Sequence, residues 1–170
     1  MSVIDELKTT LGMGARTNKY KVIINGVLGG PTGKIVDTFA KSASIPTVSF
    51  NEIEIWNQGR LVTIAGDISY SGTWTVTFID DEKHTLRSKF IKWLEAIDNA
   101  ETHSSLAGSH SNYMSTAIMQ QLSTVDNSVT TTYTFQDIWP KSISETPMAD
   151  DSSSLVEFSV EFNYSTWSKS

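Results

Sequence analysis

"GDISYSGTWTVTFIDDEKHTLRSKFIKWL", residues 66–94, changes period in its middle. Up to Ile79 it alternates, with Trp74, Val76 and Phe78 on one side and Thr73, Thr75 and Thr77 on the other. That pattern predicts a half-buried strand over 72–79. After Asp81 the apolar residues recur at helical spacing. Leu86, Phe90, Trp93, Leu94 and Ile97 form a stripe, and Arg87, Lys89, Lys92 and Glu95 cover the remainder, which predicts a helix over about 82–98. At the junction stand Asp80, Asp81, Glu82 and His84. Carboxylates there accept hydrogen bonds from unpaired first-turn amides and complement the positive end of the helix dipole. The three acids therefore read as a helix cap.

The competing reading of the junction is a metal or acid–base site. Consecutive acids at a cap point in different directions, so a metal would need ligands from elsewhere, and the two remaining imidazoles, His103 and His110, fall in a loop. Serines are abundant enough for a Ser-His-Asp arrangement, but no G-x-S-x-G elbow is present. Neither catalysis nor a cofactor is expected.

Outward from the junction the chain keeps reading as strands. "YKVIIN" (20–25) predicts a first strand, "GVLGGPTGK" (26–34) a surface turn without the lysine-serine ending of a phosphate loop, and "VDTFAKSAS" (36–44) a second strand stopped by Pro46. "FNEIEIWNQGRLVTIAGDI" (50–68) predicts two strands around a turn at 57–59, with Ile53 and Ile55 on one face and Glu52 and Glu54 on the other. Further strands are expected at 113–122, 128–136 and 155–164. In the last, Phe158, Val160, Phe162 and Tyr164 face inward, while Glu157, Ser159, Glu161 and Asn163 face outward. Residues 99–112 and 137–154 read as long loops. At the start, Val3, Ile4, Leu7 and Leu11 make a short amphipathic helix. Alone it is too short to be stable, so it docks either on its own subunit or on a neighbour.

The fold class that results is mainly β: an antiparallel β-sandwich or barrel flanked by one α-helix (about 82–98) and a short N-terminal helix. At 170 residues a single domain is expected over 1–170, with 1–12 as a docking helix. Five Trp, five Tyr and seven Phe supply its core, and a charged fraction of 19% with abundant Thr and Ser suits β-structure. The formal charge of −6 has the wrong sign for gripping nucleic acid. The absence of cysteine excludes disulfides, thiolate zinc sites and a cysteine nucleophile. No stretch approaches a membrane-spanning helix and "MSVIDELKTTLG" does not read as a signal peptide, so synthesis in a cytoplasm and no stable membrane anchor are expected.

In order along the chain, "ARTNKYKVII" (15–24), "KSASIP" (41–46), "VTIAGDISYSGTWTVTFIDDEKHTLRSKFIKW" (62–93), "STAIMQQL" (115–122), "IWPKSISE" (138–145) and "VEFSVEFNYSTW" (156–167) resemble the major tail tube protein family of contractile-tailed bacteriophages, of the T-even-like type. The glycine-rich loop 26–34 departs from that pattern by its length. The resemblance implies a structural subunit of the virion tail. Such subunits form hexameric rings that stack into a tube inside a contractile sheath, meet baseplate and tail terminator proteins, and pass DNA without binding it. Tube-initiating baseplate proteins and type VI secretion tubes share this fold and stay open as alternatives. A small-ligand-binding β-barrel and a hydrolase at the acidic junction are the readings from other classes.

For such a conduit the residues suggest roles. Glu52, Glu54, Thr130, Thr132, Thr134 and Gln136 are the candidate lumen-facing side chains, offering carboxylates and hydroxyls instead of lysines. A ring of six copies would carry roughly −36, a field that discourages DNA adhesion. Glu157 and Glu161 are candidates to face the sheath. Ile4, Leu7 and Leu11, together with the 99–112 loop, are candidates for contacts between stacked rings.

Overall fold

The computed structural model describes residues 3–11, 14–31, 33–70, 72–99, 108–146 and 154–170. Along these run α1 (Val3–Leu11), β1 (Tyr20–Ile24), α2 (Gly33–Phe39), β2 (Ala40–Ala43), β3 (Ser49–Asn57), β4 (Arg60–Ser69), β5 (Gly72–Ile79), α3 (Thr85–Ile97), α4 (His110–Tyr113), β6 (Ser115–Leu122), β7 (Val129–Ile143), β8 (Glu157–Tyr164) and β9 (Thr166–Lys169). Seven strands form one antiparallel sheet in the order β1-β6-β7-β8-β5-β2, with β9 also paired to β7. β3 and β4 stand apart as a two-stranded ribbon.

The core lies on the inward face of the large sheet. Antiparallel partners share a face, so Trp74 lies across from Phe162, Val76 from Val160 and Phe78 from Phe158. All six are buried. Onto them α3 lays Leu86, Phe90, Trp93 and Ala96. The Phe90 ring stands 5.3 Å from Phe78 and 6.3 Å from Phe158, and Trp74 stacks on Phe135 at 4.4 Å. Each buried indole N–H finds an acceptor: Trp74 donates to the Ser44 carbonyl at 2.7 Å and Trp93 to the Tyr113 carbonyl at 3.0 Å.

β1, one margin of the large sheet, is tied by side chains to β2, the other margin, and to α2. The Tyr20 hydroxyl donates to the Ala40 carbonyl at 3.2 Å, and the Asp37 carboxylate accepts from the Val22 amide at 3.2 Å. Burial, and then the Asp37 charge, raise the Tyr20 pKa above its ordinary value.

Several expectations need correction. Residues 36–39, expected in a strand, are helical in α2, and strand structure begins only at Ala40. Val36 is buried in the core and Asp37 satisfies an edge amide of β1, and those tertiary gains override the local strand pattern. The loop 26–34 is no free surface turn: Gly26 and Pro31 are hydrogen-bonded, Pro31 is buried, and Gly33 opens α2. The expected loop 137–154 starts as strand. β7 runs through Asp137 and Pro140 to Ile143, its first part pairing with β6 and β9 and its second with β8. Asp137 adopts φ 55 and the register shifts between Pro140 and Ser142. Such irregularities are where a sheet tolerates proline. Residues 147–153 of that expected loop lie outside the described residues, as do 100–107 of the 99–112 loop, His103 among them; residues 110–113 form α4. The main helix starts at Thr85, three residues later than expected, because His84 takes a left-handed conformation (φ 50) after a turn closed by the Asp81 carbonyl.

Candidate assembly surfaces

The acidic junction resolves into three different positions. The Asp80 side chain has no exposed surface, and its carboxylate accepts from the Asp81 amide at 3.1 Å and lies 2.7 Å from Nδ1 of His84. Asp81 meets the helix start: its carboxylate accepts from the Thr85 amide and from the Thr85 hydroxyl, each at 2.6 Å. The Thr85 hydroxyl first, and backbone amides after it, hold the Asp81 carboxyl below its ordinary value. Glu82 is exposed. Among the described residues no group of three or more His, Cys, Asp or Glu is placed to hold a metal.

An open cleft of about 590 Å³ lies where β1 approaches β2, lined by Thr17, Asn18, Asp37 and Lys41 together with the Tyr20 ring. Its lining is mixed and it opens to solvent, unlike the enclosed apolar cavity of a small-ligand barrel.

The β3–β4 ribbon is the unusual surface. Its turn places Gln58 and Gly59 at positive φ (50° and 78°), the conformation that matches the twist of a two-residue hairpin. Ile53 pairs with Ile64 and Ile55 with Val62 on one face, and the opposite face carries Glu52 across from Ala65 and Glu54 across from Thr63. The acidic rungs are bounded by apolar pairs: Trp56 with Leu61 toward the tip and Phe50 with Ile68 toward the base. Every one of these side chains is exposed; Trp56 keeps 68% of its surface and Ile53 52%. A two-stranded ribbon is marginal in water by itself, and so contiguous an apolar surface marks a contact. Alternation in the sequence signals one buried face; in the subunit neither face is buried.

The remaining candidate residues occupy three other places. Thr130, Thr132, Thr134 and Gln136 alternate on β7, across from Gln120 (Thr132), Ile118 (Thr134) and Thr166 (Gln136). Thr130 donates to the Gln121 carbonyl at 3.0 Å. Lys21, next to Gln120 on β1, shares that face, a cation that the reading of β7 alone did not include. Thus the structure keeps Thr132, Thr134 and Gln136 on one surface, sets Thr130 at a register shift of the β6–β7 pair, and puts Glu52 and Glu54 on another sheet. Glu157 and Glu161 lie on β8, each paired with a lysine of its own chain. Lys41 bonds Glu157, while Lys141 at 3.3 Å and the Ser142 hydroxyl at 3.2 Å bond Glu161. Ile4, Leu7 and Leu11 of α1 are each about 60% exposed. Sequence reasoning missed Trp56, Leu61, Phe50 and Ile68 as surface residues, because exposed aromatics and core aromatics look alike in a strand pattern.

Comparison with known proteins converges on one family. A family model described as phage tail tube protein matches residues 15–170. The chain is 26% identical over 154 residues to tail tube protein gp19 of Enterobacteria phage T4 and 25% identical to that of phage T6, each alignment covering 90% of this chain and 90% of the relative. In fold it is similar to a chain of the sheath/tube terminator of an extracellular contractile injection system (TM-score 0.66, 11% identity, 91% of this chain and 95% of the other). It is likewise similar to a chain of the sheath–tube complex of that system (TM-score 0.63, 10% identity, 100% and 99%). With the family model spanning nearly all of the chain, the protein belongs to the phage tail tube protein family and is a structural subunit of a phage tail tube.

Proposed function

We propose that copies of this chain assemble into rings of six, and that the rings stack into a tube through which DNA passes during ejection. The β3–β4 ribbon carries this reading. Its aliphatic face and its apolar ends are exposed in the lone subunit, and a second copy is the partner always present at equal concentration. A contact between two different patches of one chain generates a ring where its rotation closes and an open stack where it does not. Unpaired strand margins on the ribbon are consumed in the same way.

Covering the aliphatic face leaves Glu52 and Glu54 on the side turned from that contact. We place this side, and the Thr130, Thr132, Thr134 and Gln136 face, toward the lumen. Carboxylates and hydroxyls there repel phosphate or bond it weakly, and Lys21 is the single cation on the β7 side among the residues paired across that face. The outer row of Glu157 and Glu161 is offered to the sheath as ion pairs with Lys41 and Lys141, so that contact should weaken with salt. Tail sheath, baseplate and terminator proteins are the partners proposed; chains of a sheath–tube complex, a baseplate and a sheath/tube terminator of contractile systems share the fold. Its work is structural, not catalytic, and its place is the virion tail after assembly in the host cytoplasm. A tube-initiating ring of the baseplate is the second reading.

Negative-stain microscopy of the purified chain at high concentration tests the proposal. Hollow rings and tubes are expected; dispersed monomers at every concentration overturn it.

A further inference from the structure

The chain carries a second exposed apolar face besides the ribbon. α1 presents Leu7 and Leu11, exposed by 61% and 63%, and it precedes the residues that the family model covers. A nine-residue helix is marginal in water unless something covers its stripe.

We propose that the apolar stripe of α1 seats on the aliphatic face of the β3–β4 ribbon of a neighbouring copy. The inference rests on the tube reading and supplies one contact within it. The dimensions agree. Successive rungs on one face of the ribbon, Ile53–Ile64 and Ile55–Val62, stand about 6.8 Å apart, and Leu7 and Leu11 are separated by about 6 Å along the helix axis. Two strands with their side chains are about as wide as a helix, roughly 10 Å.

The ends of the face are charged. Beyond Ile55–Val62 comes the Asn57–Arg60 pair at the tip. Beyond Ile53–Ile64 the register shift sets Gly66 and Asp67 opposite Asn51. Aliphatic side chains therefore lie between a cation at the tip and an acid at the base. Gly66 lies close against the facing strand: a Cβ there would stand 3.2 Å from the Ile53 side chain and 2.9 Å from the Asn51 carbonyl oxygen. α1 carries Asp5 near its start and Lys8 in its last turn. Laying α1 with its start toward the tip brings Asp5 toward Arg60 and Lys8 toward Asp67. These four residues are exposed, and the ion pairs among the described residues involve none of them. The partner is a second copy because both faces occur at equal number in every chain, which is what an open stack requires.

The natural absence of cysteine permits a direct test. Leu7→Cys and Ile53→Cys are introduced together and separately, the chains are assembled, oxidised and run on a non-reducing denaturing gel. The double variant is expected to give a ladder of covalently linked copies, and each single variant to run as one chain. Tubes from the double variant without a ladder, or a link confined within one chain, overturn the contact while the tube reading stands. If the cysteine-free parent forms no tubes, both fall together. A charge exchange provides a second readout. Asp67→Lys should raise the critical concentration for assembly about threefold, a typical size for an exposed ion pair, and adding Lys8→Asp should reverse it. An unchanged critical concentration in Asp67→Lys counts against the orientation proposed.

Discussion

Asp80 and His84 meet across a single turn, the imidazole Nδ1 lying 2.7 Å from a carboxylate that has no exposed surface. The pair locks His84 in its left-handed conformation and so sets where α3 begins. Asp80→Ala would strip acceptors from His84 and from the Asp81 amide, an expected loss of about 1–3 kcal/mol. Chemical denaturation measures it, and a loss near zero would show that the pair does not fix the junction.

Asp81 acts at the same turn but at the surface, and its effect should depend on pH. Its carboxyl titrates below the ordinary value of 3.8, so the folded state favours the charged form. The stabilisation is fully present above that ordinary value and disappears as pH falls through the lower folded-state value. Asp81→Ala is therefore expected to lower the melting temperature at pH 7 and to melt together with the parent chain well below pH 3.8. Thermal melts of both chains across that range check the convergence.

Gly30 lies against the indole of Trp93 so closely that a Cβ at this position would stand 2.9 Å from the ring. Trp93 is fully buried and held by its bond to the Tyr113 carbonyl, so it has little freedom to retreat. Gly30→Ala is expected to cost about 1–3 kcal/mol by overpacking. Equal denaturation midpoints for variant and parent would contradict the close approach.

The lumen assignment makes a prediction about DNA. Tubes of the parent chain should release short duplex DNA at low salt, whereas Glu52→Lys with Glu54→Lys should retain it in a salt-dependent way. Co-sedimentation of DNA with preformed tubes is the measurement. No difference between the two tubes would place these side chains away from the path of the DNA.

Much of the subunit could be read before its structure. The change of period at Asp80–His84 located β5 and α3, because a half-buried strand and an amphipathic helix leave different periodicities. Alternation also placed Phe158, Val160 and Phe162 in the core, and Asn57, Gln58 and Gly59 marked the hairpin. What escaped depends on contacts distant in sequence. Val36 to Phe39 has the composition of a strand but is helical where Asp37 reaches the β1 amide. Residues 137–154, with Pro140 among them, read as a loop after strand 128–136, and a register shift beside Pro140 lets β7 continue to Ile143. β9 is too short for a periodic signal, and is held by its pairing from Tyr133–Lys169 to Gln136–Thr166. For the assembly surface, Ile53 and Ile55 were legible as one face and Glu52 and Glu54 as the other. That the isoleucine face finds no cover inside the subunit was not legible, since a pattern of alternation is the same whichever molecule supplies the cover.

Hydrogen exchange of residues 49–69, followed in free subunits and in assembled tubes, bears most directly on whether the β3–β4 ribbon is buried between copies. Amides of the ribbon should exchange rapidly in the free subunit, as expected for an isolated two-stranded element, and slow markedly on assembly. Exchange that stays equally fast in the tube would contradict the assembly reading at its centre.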